Sequence, residues 1–236
     1  MTVSKLVHIT PEHNTLSSLT LGWHFDGGQH DTSEFLLRVF QNIPIAFGSW
    51  ETRAPVPEGI IVDEEGSAPI HIDSEVVRSP QQMLEQWAGH APVRALLERT
   101  DLLCLAIPRF TGREKNDSPI ELQEILRVPV FVNQSTDLQW EAYMLRAAIL
   151  HYGQESTSGH YRALVKHEGE WYLADDSNIP VKCALADPIV CRNCYVLFLE
   201  RGIEARDQLT DPLGSRDVAS SILQQTHGRE PGAEAR

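Results

Sequence analysis

Two strand-like runs joined by one glycine turn constrain this chain more than any other feature. From His160 the apolar residues alternate through Ala163 and Val165, the chain turns at His167-Glu-Gly169-Glu, and Trp171-Tyr172-Leu173-Ala174 runs back. The pattern predicts an antiparallel hairpin with its turn near Gly169, which returns Asp175 close to the level of His160. A carboxylate there can accept a hydrogen bond from one imidazole nitrogen, fix the tautomer and leave the other nitrogen free to act as a base. Taken alone, the same residues also describe a partly exposed strand histidine beside an acidic turn.

A longer ordered pattern surrounds the hairpin. Tyr143-x-Leu145-x-Ala147-x-Ile149-x-His151-x-Gly153 precedes Ser158-Gly159-His160-Tyr161, and Trp171-x-x-x-Asp175-Asp176 and Tyr195-x-Leu197-Phe198 follow. This block resembles the C-terminal signature of the ubiquitin-specific proteases, papain-like cysteine hydrolases that cut after the C-terminal glycine of ubiquitin. The resemblance implies His160 as general base, Asp175 as the carboxylate that orients it and Asp176 as the adjacent supporting acid. It implies an α+β fold with an antiparallel palm sheet and β-ribbon fingers, ubiquitin or ubiquitinated proteins as partners, and no cofactor.

The 236 residues, 42% hydrophobic and 22% charged, suit one globular domain with a real core. The 20 basic and 33 acidic side chains leave a net charge of −13, which argues against nucleic acid and anionic membrane as partners. Neither an apolar run of about 18 residues nor a basic-then-apolar start occurs, so the chain reads as intracellular, in cytoplasm or nucleus. Cys104, Cys183, Cys191 and Cys194 are too few and too unevenly placed for a secreted disulfide framework.

Residues 1–20 carry no clear period, and 21–201 read as the domain. Asp31 and Glu34 have capping-box spacing ahead of the stripe Phe35, Leu36, Val39 and Phe40, which predicts a helix of about three turns. The same stretch resembles the family's Gln-x-Asp-x-x-Glu-Phe box, making Gln29, Asp31 and Glu34, with Tyr161, candidates for holding the basic ubiquitin tail. A capped core helix is the other reading of these residues, and the two roles need not exclude each other.

Ile43–Phe47, Gly59–Val62 and Ala68–Ile72 read as short strands, with Asp63-Glu64-Glu65 as an acidic turn. By the resemblance this is the fingers region, and it holds no cysteine for the paired zinc motifs common there. Ser79-Pro80-x-Gln82 starts a helix with Met83, Leu84 and Trp87 on its buried face. A short helix is expected at Val93 to Glu98, then an apolar strand from Leu102 to Phe110, a polar loop over 111–119, and a sheet resumed at Val128–Val132. Residues 202–236 read as a mostly disordered tail.

One element of the family pattern is absent. The nucleophilic cysteine lies ahead of the Gln-Asp box in the family, in an Asn-x-Gly-Asn-Thr-Cys-Tyr type motif, and this sequence has no cysteine before Cys104. Cys104 sits among leucines as a core thiol. Cys191-x-x-Cys194 with Cys183 lacks an obvious fourth zinc ligand, and no Gly-x-Ser-x-Gly elbow occurs. Two main expectations follow, beside a minor one of a zinc-binding structural domain using Cys183, Cys191 and Cys194. Either the chain is a cysteine deubiquitinase largely without its N-terminal helical thumb and nucleophile, inactive alone, or it is a non-catalytic ubiquitin-binding relative.

Overall fold

In the computed structural model the described residues are 21, 31–43, 45–72, 78–89, 92–112, 114–155 and 158–202. Gln29 and the segments 1–20 and 203–236 therefore lie outside them.

Helix α1 (Thr32–Asn42) begins where the capping residue predicts. Asp31 is its extended N-cap and accepts from the backbone N–H of Ser33 at 2.7 Å and of Glu34 at 3.3 Å. Leu36 of the apolar stripe is buried, and Phe40 stacks on Phe47. Strands β1 (Ser49–Val56) and β2 (Gly59–Ser67) form the fingers hairpin, followed by β3 (Ile70–His71). Helix α2 (Pro80–Ala88) has Ser79 as its cap, and Met83, Leu84 and Trp87 are its buried face as expected.

Next come β4 (Val93–Leu96), β5 (Leu102–Ala106), the small pair β6 (Phe110–Thr111) and β7 (Glu114–Lys115), and β8 (Ile125–Phe131). The palm is completed by the long β9 (Leu138–Glu155), β10 (Ser158–His167), β11 (Glu170–Ala174), β12 (Val181–Cys183), the short α3 (Pro188–Asn193) and β13 (Cys194–Arg201). Eleven strands make one sheet in the order β12-β11-β10-β9-β8-β4-β1-β2, while β13 joins β9 to β5 and β3 pairs with β5. The second half is antiparallel as expected, because β9 is long enough to pair with β8, β10 and β13. The core is a single cluster in which Ile72, Leu84, Leu96, Leu105, Leu150 and Leu164 are all fully buried.

Four expectations are corrected. Val93–Leu96 is a strand, because Val93 to Leu96 pair with Arg53 to Trp50 of β1, and four residues leave no room for a helical repeat. Asp63-Glu64-Glu65 is the middle of β2, where Glu64 binds Arg94 at 2.7 Å. Ser49–Val56, not Ile43–Phe47, forms the first strand; its buried pair Glu51 and Arg53 satisfy each other at 2.5 Å, so polar residues occupy an inner face. The loop 111–119 is partly ordered by β6 and β7.

Candidate active site

The predicted hairpin forms as the spacing requires. Register runs from His167↔Glu170 to Ala163↔Ala174, and the two turn residues Glu168 and Gly169 both have positive φ, the backbone of a tight hairpin turn. Asp175 lies one step past β11, across from Arg162, and the Asn178 N–H donates to its carbonyl to start a turn.

His160 and Asp175 meet there. His160 Nε2 is 2.5 Å from Asp175 Oδ1, so Nε2 carries the donated proton in the tautomer this contact selects. Nδ1 has no hydrogen-bond partner among the described residues, and the histidine side chain is 42% exposed, leaving that nitrogen open to a reactant. Asp175 Oδ2 faces Arg162 Nε at 3.1 Å. The His160 hydrogen bond, then the Arg162 charge, hold the Asp175 carboxyl below the usual carboxylate range. Asp176 is exposed with a left-handed backbone (φ 48°), and its carboxylate comes within 4.8 Å of the ligand atoms of His160 and Asp175. These three are the group within common reach of a cation among the described residues; the Arg162 guanidinium on the same carboxylate opposes such binding.

Asp31 caps helix α1, as its spacing predicts. Besides the two backbone donors, it accepts from the Tyr195 hydroxyl at 2.5 Å, so three donors share its carboxylate. Glu34, one turn along α1, is exposed and its carboxylate has no hydrogen bond or ion pair among the described residues. The helix-capping reading thus describes Asp31, and Glu34 remains the available acid.

Behind His160 lies a residue to which the sequence pattern assigned no role. His151 is fully buried, pairs across the strands with Tyr161, and packs edge-on against Phe110 and Tyr161. Neither of its ring nitrogens has a hydrogen-bond partner among the described residues. Burial and the nearby Lys115 charge push its pKa down, so the ring is neutral at pH 7. A Cβ on Gly159 would stand 2.7 Å from His151 Nε2 and 2.3 Å from the Tyr152 carbonyl oxygen, which explains glycine directly before His160. Lys115 Nζ, 2% exposed, donates to the His151 carbonyl at 2.7 Å and to Asn193 Oδ1 at 2.6 Å, pinning β9 to α3.

The four thiols stand apart from this chemistry. Burial raises the pKa of every one, that of Cys194 to about 12. Arg109, buried, donates to the carbonyls of Cys191 and Cys194, both at 2.8 Å, so these cysteines are organised through their backbone. Among the described residues they form no metal-holding group with Cys183.

The solved chains similar to this one share its fold. One from the SAGA DUB module Ubp8/Sgf11/Sus1/Sgf73 bound to monoubiquitin has a TM-score of 0.59 at 18% identity, over 79% of this chain and 52% of that one. The same module bound to ubiquitin aldehyde gives 0.59 at 17% identity, over 79% and 53%. The fold is accordingly the α+β, papain-like fingers-and-palm arrangement of ubiquitin-specific protease type. In sequence, ubiquitin carboxyl-terminal hydrolase 4 of Bos taurus is 44% identical over 107 residues, 42% of this chain and 11% of the relative. Ubiquitin carboxyl-terminal hydrolase 17-like protein E of Mus musculus is 32% identical over 100 residues, 41% of this chain and 18% of the relative. The chain thus matches under a fifth of the length of either relative. Residues 4–198 match the family model described as ubiquitin carboxyl-terminal hydrolase, and the chain belongs to that family.

Proposed function

We propose that this chain supplies the base, the orienting carboxylate and the ubiquitin-recognising palm for thiol-dependent hydrolysis of the peptide or isopeptide bond after the ubiquitin C-terminal glycine. The His160–Asp175 contact carries the reading. With Nε2–H bonded to Asp175, Nδ1 is the nitrogen that takes the proton from a thiol. The thiolate attacks the glycine carbonyl carbon, and the Nδ1–H then protonates the departing amine. Water hydrolyses the thioester after giving its proton to Nδ1. Asp175 stays ionised throughout and stabilises the imidazolium as it forms. Asp176 supports the site from the adjoining turn.

We take the thiol to come from outside these 236 residues, since Cys104, Cys191 and Cys194 are buried and Cys183 lies on β12, two strands away from His160 on β10. The same observation favours a second reading, a module that binds ubiquitin without cutting it. Glu34 is the acid we assign to the basic ubiquitin tail, with Tyr161 beside His160; Gln29 belongs to the same box. We place the protein in cytoplasm or nucleus.

The test is titration of fluorescently labelled ubiquitin into the purified chain and into Glu34→Lys. Saturable binding that the substitution abolishes supports recognition by this palm. A folded chain that shows no binding would overturn it. Cleavage of a ubiquitin–fluorophore substrate by the chain alone, lost in His160→Ala, would show that one of the chain's own four thiols acts as nucleophile.

A further inference from the structure

The second oxygen of Asp175 is held by a side chain that the proposed reaction does not use. His160 and Arg162 are two residues apart on β10 and project from the same face. Asp175 lies across from Arg162, so one carboxylate reaches both: Oδ1 to His160 Nε2 at 2.5 Å and Oδ2 to Arg162 Nε at 3.1 Å. The guanidinium carbon sits 4.4 Å from the ring centroid of Tyr152, the residue paired with His160 on β9. Arg162 Nε is close enough for an ion pair but out of line for a hydrogen bond. Charge and ring packing therefore make the contact.

We propose that Arg162 is a positioning residue for the His160–Asp175 pair, its guanidinium braced on Tyr152 and fixing the rotation of the carboxylate so that Oδ1 faces Nε2. The terminal torsion of an aspartate is broad and roughly two-fold, so a single contact to His160 leaves the carboxylate free to turn. A cation on the other oxygen removes that freedom. The result is one imidazole tautomer, Nε2–H, with Nδ1 kept toward the reactant. The inference rests on the reading of His160 as the base, but its test reads the tautomer and not turnover, so the two fail separately.

The experiment is NMR of the full chain labelled with 15N-histidine, at about pH 8.5 where an ordinary imidazole is neutral. The unsubstituted chain should show a single Nε2–H tautomer for His160. In Arg162→Met, the minor tautomer and the exchange rate of the Nε2 proton should each rise about threefold, the scale of a partly exposed ion pair. Arg162→Lys should restore most of the effect, because charge rather than a planar fork makes the contact. Tyr152→Leu should move both readings in the direction of Arg162→Met. Unchanged tautomer and exchange in a folded Arg162→Met, checked by near-UV circular dichroism, would overturn the proposal, as would Arg162→Lys behaving like Arg162→Met. If Arg162→Met does not fold, Tyr152→Leu decides by the same two readings. Hydrolysis that proceeds without His160 would sink the proposed reaction and leave the tautomer result standing.

Discussion

Asp31→Ala separates a structural carboxylate from a substrate-binding one. Three donors converge on this side chain, the Ser33 and Glu34 N–H groups and the Tyr195 hydroxyl. Losing an N-cap costs about 1 kcal/mol. Leaving the hydroxyl of Tyr195, a residue only 7% exposed, without its acceptor costs about 1–3 kcal/mol more. The sum is roughly 2–4 kcal/mol of stability. Ser33 Oγ, buried and otherwise without a partner among the described residues, can accept from Tyr195 instead and moves the expectation toward the lower end. Tyr195→Phe should cost less, since the remaining carboxylate keeps both backbone donors and part of its solvent contact. The double variant should therefore show a coupling of about 1–2 kcal/mol between the two sites. Urea unfolding followed by tryptophan fluorescence measures all three. Asp31→Ala costing under about 0.5 kcal/mol while abolishing ubiquitin binding would refute the argument and make the carboxylate a ligand of the ubiquitin tail.

Glu124 accepts from Lys166 Nζ at 2.8 Å and Trp171 Nε1 at 3.0 Å, and these two hydrogen bonds hold its pKa below the usual range. Its contribution to stability is present above the unfolded value of about 4.3 and is lost as pH falls through the lower folded value. Glu124→Gln should flatten the acid limb of a stability–pH curve between about pH 5 and 3, and an unchanged limb would count against the contact. Thiol labelling of the native chain should modify Cys183, the only one of the four cysteines not buried, well before the others. Loss of the fast phase in Cys183→Ser confirms it, whereas fast labelling that persists would locate an exposed thiol elsewhere.

The elements legible in the sequence are those whose cause lies within a few residues. Ser79 followed by Pro80 caps a helix locally, Asp31 does the same for α1, and Glu168-Gly169 turns the hairpin that brings Asp175 to His160. The misread elements draw their stability from far along the chain. Val93–Leu96 is a strand because it pairs with Arg53 to Trp50, about forty residues away, and Glu64 sits inside a strand because β2 pairs along β1, with Thr52 opposite it. Arg53, 7% exposed, is held in the same way: it donates to the carbonyls of Asn133 and Ser135 and lies over Phe131, partners some eighty residues on.

The candidate site divides along the same line. His160 and Asp175 were legible because a two-residue turn sets their register, and Arg162 could have been found by the same period-two argument, since His-x-Arg on one strand face must meet whatever the returning strand presents. Tyr195 could not. It lies 164 residues from Asp31, and only the closure of β13 between β5 and β9 brings its hydroxyl to the cap of α1. That closure makes the Asp31 carboxylate a joint between helix and palm. Glu34, the neighbouring acid on the exposed side of the same helix turn, is the one we propose for a basic tail. Capping therefore accounts for Asp31 without any substrate, while the Glu34 carboxylate has no hydrogen bond or ion pair among the described residues.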